Sequence, residues 1–133
     1  MISNFISFFT KSGQSVIDPF AGIGTTLVAR QRTKRKGIGI ELNKKYFKIA
    51  KVRTNQKIFN GNSLELDDIL TKNKIKNIDF CLTSPPYCNV FNRSTGGFTN
   101  QRAEKTLDYN YSNQDTHIGN LDTYDDILDM LVH

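Results

Sequence analysis

Four short segments carry residue types that can do chemistry. In the first, Asp18-Pro19-Phe20-Ala21-Gly22-Ile23-Gly24-Thr25-Thr26, an acid, two glycines and two hydroxyls precede a helical stretch. Glycines let a ligand approach the backbone closely, and a helix amino end offers free N–H groups. A plain tight turn needs the same glycines. A dinucleotide fingerprint asks for a third glycine where Leu27 stands, which disfavours a nicotinamide-dependent dehydrogenase. In the second, Glu41 lies fewer than twenty residues beyond the glycines. A carboxylate there can accept both hydroxyls of a ribose, and an exposed strand-end acid would look the same. In the third, Gly61-Asn62-Ser63, a polar side chain can meet an adenine edge, or Ser63 can cap a helix after a turn. In the fourth, Thr83-Ser84-Pro85-Pro86-Tyr87, a hydroxyl, a stiffened carbonyl and an aromatic face can together hold a planar amine. A strand terminator followed by a packed Tyr is the plainer account.

The elements around these segments explain why they would converge. Ser15 to Phe20 is a short apolar run that reads as a buried strand. Thr25 to Arg35 reads as a helix with Leu27, Val28 and Ala29 inward. Lys36 to Glu41 is a second strand. Asn43 caps a second helix reaching about Asn55, with Tyr46, Phe47, Ala50 and Val52 as apolar positions. Gln56 to Asn60 is a third strand, and Ser63 caps a short helix carrying Leu64, Leu66, Ile69 and Leu70. Ile78 to Leu82 is a fourth strand, stopped by Pro85-Pro86. Alternating strands and helices predict a parallel α/β sheet with right-handed crossovers. Ligands in such sheets sit beyond the strand carboxyl ends, where Asp18, Glu41, Asn62 and Ser84 all fall. From Asn89 to Asn120 the pattern gives way to a long polar loop, and Asp122 to Val132 reads as a closing helix.

The 133 residues carry a formal net charge of +5, and that length leads to the expectation of one domain rather than a multidomain enzyme. No apolar run approaches the roughly 18 residues a membrane span needs. The start Met1-Ile2-Ser3-Asn4-Phe5 lacks the marks of a signal peptide, so the cytoplasm is the expected place. Cys81 and Cys88 read as free thiols, and no metal site is expected. Eleven Lys and Arg residues crowd the stretch from Arg30 to Lys57, opposed only by Glu41. That density fits a polyanion partner such as nucleic acid, and it also fits a solvated helix face. After Lys105 there is no Lys or Arg, and six aspartates follow.

Taken together, the motifs resemble the S-adenosylmethionine-dependent methyltransferases that act on exocyclic amines of nucleic-acid bases. Asp18 to Thr26 is similar to that family's cofactor motif. Ser84-Pro85-Pro86-Tyr87 is similar to its catalytic motif, in the Ser-initial form typical of N4-cytosine DNA methyltransferases, whereas adenine enzymes more often begin it with Asp. Ile118-Gly119-Asn120 with Tyr124 and Leu128 resembles the region that follows. The resemblance covers roughly residues 5 to 130.

The resemblance implies a Rossmann-like methyltransferase sheet, mostly parallel, with about four strands in the order 3-2-1-4, a long loop and a C-terminal helix. It implies S-adenosyl-L-methionine as cofactor, with Asp18, Pro19, Phe20, Ala21, Gly22, Gly24, Thr25 and Thr26 along its methionine end. Glu41 would bind the ribose, Leu42 would lie against adenine, and Asn62 and Ser63 would meet the adenine edge. The family usually has Asp at the position of Asn62, and an amide oxygen can still accept from adenine's amine. Ser84 and the Pro85 carbonyl would accept from the target amine, beside Pro86, and Tyr87 would stack on a flipped base. DNA is the implied partner, with cytosine N4 as target. An RNA base, or a non-catalytic fragment that needs a partner chain, are the alternatives. Family members continue well past a segment like Val132-His133, so 1–133 reads as one truncated domain. Within it, 12–82 is the cofactor-binding core, 83–120 the catalytic motif and mobile loop, and 121–133 a helix. The chain would then be a fragment, a split enzyme whose missing strands and target recognition come from a second polypeptide, or a decayed gene. The family also has a helix before its first strand, of which Phe5 to Thr10 would be the end.

Overall fold

Buried aliphatic residues set the centre of the sheet. In β2 (Lys36–Glu41) four consecutive residues, Gly37 to Ile40, are buried, the pattern of a strand covered on both faces. β1 (Ser15–Asp18) lies beside it with Val16, Ile17 and Asp18 buried. The computed structural model describes residues 1–85. The remaining elements are α1 (Ile2–Phe9), α2 (Thr25–Arg32), α3 (Lys44–Arg53), β3 (Lys57–Asn60), a 3-10 turn (Ser63–Glu65), α4 (Leu66–Lys72) and β4 (Phe80–Cys81). The strands form one parallel sheet in the order β3-β2-β1-β4, as the alternation and the resemblance imply. Ile17 pairs with Ile38 on one side and with Cys81 on the other. Leu27, Ala29, Ile38, Ile40 and Ala50 complete the core between helices and sheet. The expected long loop and closing helix lie outside the described residues.

Several boundaries differ from the sequence expectations, each for a local reason. β1 stops at Asp18 rather than Phe20, because the Phe20 amide turns back onto the Asp18 carboxylate at 3.1 Å. α2 stops at Arg32 rather than Arg35: the Thr33 amide already bonds back to Ala29 and Arg30, and Lys34 has φ of 59°. α3 ends at Arg53, where Thr54 is extended, and Val52 points to solvent rather than inward. Asn62, not Ser63, caps the turn before α4, accepting from the Leu64 amide at 3.1 Å. β4 is two residues long, and its flanks continue the pairing through Asp79 N to Ser15 O and Leu82 N to Ile17 O, both 3.0 Å.

α1 is a full two-turn helix that buries Ile6 against the rest of the fold. Its Phe9 ring stacks on Phe80 of β4 at 5.5 Å. Arg35 fastens its end, giving its Nε to the Thr10 hydroxyl at 3.1 Å and an Nη to the Thr10 carbonyl. Arg30 belongs to the basic run by sequence, yet it is fully buried. So the eleven cations are not one surface. Among the described residues, no helix is long and apolar enough to cross a membrane.

Candidate functional site

The carboxyl ends of β1, β2 and β3, with the segment after β4, meet at one edge of the sheet. Asp18 ends β1 and is buried. Its Oδ1 accepts two hydrogen bonds, from the Phe20 amide at 3.1 Å and from the Thr83 hydroxyl at 2.7 Å. One carboxylate oxygen thus joins the start of the glycine loop to the residue before Ser84. Asp18 therefore acts as an organiser of the edge.

The loop from Pro19 to Gly24 is held in a fixed path. The Ala21 amide bonds to the Ile40 carbonyl at 2.9 Å, and the Gly24 amide to the Ala21 carbonyl at 2.8 Å. Gly24 has φ of 81°, and a Cβ there would stand 2.9 Å from the Ala50 Cβ. The residue must be glycine both for its backbone and for the close passage of α3. Gly22 has φ of 54°, and the space a Cβ would enter is open. That opening is where another molecule can approach the loop backbone.

Glu41 ends β2 and closes the loop from the other side. Its Oε2 accepts from the Gly22 amide at 2.7 Å, and its Oε1 from the Asn43 amide at 2.8 Å. Burial raises its pKa above 4.5; the two amide bonds oppose that rise and the nearby Asp18 adds to it. Each carboxylate oxygen keeps capacity for a further donor. Asn60 at the end of β3 gives its side-chain amide to the carbonyls of Glu41 and Leu42 at 2.7 and 3.0 Å, which fixes the path of Leu42.

The Ser63 hydroxyl donates to the Pro19 carbonyl, so the third segment is tied to the first. Asn62 spends its side-chain oxygen on the Leu64 amide. Sequence reasoning foresaw the meeting of these segments at the sheet edge, but not the bond between Ser63 and Pro19.

A cleft of about 250 Å³ lies between α1 and the end of β4, with Ile2, Phe5, Thr26, Leu82, Thr83 and Ser84 in its walls. It brings Thr26 of the first motif beside Ser84 of the last. Ile2 was missed by sequence reasoning. The signal was there: Ile2, Phe5, Ile6 and Phe9 recur at helical spacing. Pro85 is the last described residue, and Pro86 and Tyr87 lie outside the described residues.

Residues 1–52 match a family model described as DNA methylase. Over this segment the resemblance read from the motifs holds. Type II methyltransferase M2.LlaDCHI of Lactococcus lactis subsp. cremoris is 45% identical over 56 residues, which is 42% of this chain and 21% of that protein. Type II methyltransferase M2.DpnII of Streptococcus pneumoniae is 43% identical over 53 residues, 40% of this chain and 20% of that protein. The chain matches about a fifth of the length of these relatives. Among solved structures, a TehB-like SAM-dependent methyltransferase from Corynebacterium glutamicum superposes with a TM-score of 0.56 at 15% identity. That match covers 97% of this chain and 68% of the other, and it shows the Rossmann-like fold.

Proposed function

We propose that this chain carries the cofactor-binding part of an S-adenosylmethionine-dependent DNA methyltransferase acting on an exocyclic base amine, cytosine N4 in particular. The observation that carries the reading is the joining of three motif segments at one edge: Glu41 on the Gly22 amide, and Thr83 on Asp18. The match of residues 1–52 to DNA methylases supports it. The Ser at the head of Ser84-Pro85-Pro86-Tyr87 supports cytosine over adenine.

The residues fit such a cofactor. The open space above Gly22 admits a ligand against the loop backbone, and Glu41 presents acceptor capacity suited to vicinal hydroxyls. In this reading Asp18 to Thr26 hold the methionine end, with Asp18 acting through the loop. Glu41 takes the ribose, Leu42 flanks the adenine, and Asn62 and Ser63 border its edge. When bound, S-adenosylmethionine supplies an electrophilic methyl on sulfur. The chain's own contribution is to prepare the nucleophile. An exocyclic amine is poor because its lone pair is delocalised into the ring. Ser84 and the Pro85 carbonyl accept its hydrogens, favour a pyramidal nitrogen and hold it in line, so positioning and electrostatics carry the rate. In this reading Pro86 and Tyr87 complete the motif, and Tyr87 would stack on the extruded base. The nitrogen–carbon bond would form as the methyl–sulfur bond breaks, leaving a neutral thioether, and the amine proton would pass to solvent. DNA is the partner in this reading.

Calorimetry of S-adenosylmethionine binding to the full chain tests the reading, followed by labelled methyl transfer to duplex DNA and to transfer RNA. Binding with transfer to DNA supports it, and transfer to RNA alone redirects the substrate. Binding without transfer, alone or with a partner chain, favours a non-catalytic module. No binding by a folded chain overturns it.

A further inference from the structure

The segment that delivers Ser84 is poorly fixed by its own strand. β4 contributes two paired residues, and the last backbone bond along it is Leu82 N to Ile17 O at 3.0 Å. Beyond that point side chains take over. The guanidinium of Arg30 sends Nη2 to the carbonyls of both Ile17 and Leu82, at 2.9 and 3.2 Å, and Nη1 to the carbonyl of Ile38 at 3.1 Å. One planar fork therefore spans β1, β2 and the chain leaving β4. One residue later, the Thr83 hydroxyl reaches the Asp18 carboxylate, whose same oxygen holds the Phe20 amide.

A hydrophobic residue would fill the position of Arg30 at lower cost. The side chain is fully buried, and its Nε finds no partner. What an apolar side chain cannot supply is the fork of donors to three carbonyls. α2, which carries Arg30, begins at Thr25, where the glycine loop ends.

We propose that Arg30 and the Thr83–Asp18 pair form a two-point clamp that sets where Ser84 stands relative to the glycine loop, so that Arg30 is a positioning residue. This rests on the reading of Ser84 as part of the reactive site.

The test uses the full chain with Arg30→Lys, Arg30→Met, Thr83→Val and Thr83→Ser. Hydrogen exchange is read at the amides of residues 82–84 and, for comparison, at Gly39 and Ile40. Exchange at 82–84 is expected to rise at least about tenfold in the Lys, Met and Val variants, while the comparison amides stay protected. The S-adenosylmethionine Kd should stay within about threefold, while the transfer rate falls at least about tenfold, because displaced reacting groups lose rate before binding. Thr83→Ser restores both readouts. Unchanged exchange at 82–84 in Arg30→Lys and Thr83→Val overturns the clamp. So does a uniform rise across the sheet with binding and rate lost together, which marks a purely structural role. If the wild-type chain neither binds nor transfers, the functional reading fails by itself, and the exchange pattern still decides the clamp. If Arg30→Met does not fold, the Lys and Val variants decide.

Discussion

Gly22 and Glu41, nineteen residues apart, are joined by a hydrogen bond of 2.7 Å from the glycine amide to Oε2 of the carboxylate. The bond links the tip of the loop after β1 to the end of β2. It means that a ligand meeting the loop and a ligand meeting Glu41 meet one connected surface.

The pH behaviour of that surface follows from Glu41. Burial raises its pKa above 4.5, so between that value and the raised one the folded chain binds more protons than the unfolded chain. Stability therefore falls as pH rises through this window: the contribution of the neutral acid is fully present below it and lost above it. Glu41→Gln removes that slope. Thermal melts of both proteins across acid pH are expected to converge at the low end and differ in slope above it. Glu41→Gln should also weaken S-adenosylmethionine binding by about tenfold or more, the scale of one charge-assisted hydrogen bond.

The two loop glycines should respond differently to the same change. Gly24→Ala meets both a positive φ and the Ala50 Cβ at 2.9 Å. It is expected to cost about 2–4 kcal/mol, strain and overpacking together. Gly22→Ala has the positive φ without the collision, and should cost about 1 kcal/mol. Urea midpoints at constant m separate them.

Ser63→Ala removes the hydroxyl that holds the Pro19 carbonyl. A loss of about 1 kcal/mol in denaturant unfolding is expected. Asn62→Ala should cost a similar amount, about 1 kcal/mol, through the lost cap on the Leu64 amide. Wild-type stability in both variants would remove these bonds from the account.

Ser84→Ala should lower methyl transfer by about a hundredfold, the scale of one lost transition-state hydrogen bond, with cofactor affinity kept. Tyr87→Ala should abolish transfer in the same way. Calorimetry beside single-turnover transfer tests both, and full activity in Tyr87→Ala sinks the assignment of the catalytic motif.

Much of this arrangement is legible in the residues. The β1–loop–α2 unit announces itself through Val16, Ile17 and the glycines, and the strand order follows from the alternation together with the family resemblance. What escapes is what depends on packing. Arg30 sits in a run of cations and carries no local sign that it turns inward. Ser63 and Asn62 are both good caps, and only the bond from Ser63 to Pro19 decides between them. Val52 has the right chemistry for a core position, but the helix presents Ala50 to Gly24 instead. The apolar run of β1 overshoots the strand because Asp18 captures the Phe20 amide, a contest between side chain and ladder that hydrophobicity does not register.

The pairing of β1 also has a history in time. Its partner on one side, β2, begins eighteen residues after β1 ends, whereas its partner on the other side is β4, with Val16 facing Phe80. A chain made from its amino end presents β1, β2 and β3 well before β4 exists. Until then the fork of Arg30 lacks the Leu82 carbonyl, and the Asp18 carboxylate lacks the Thr83 hydroxyl. The glycine loop and Glu41 can therefore form early, and Ser84 reaches its place only once β4 has arrived.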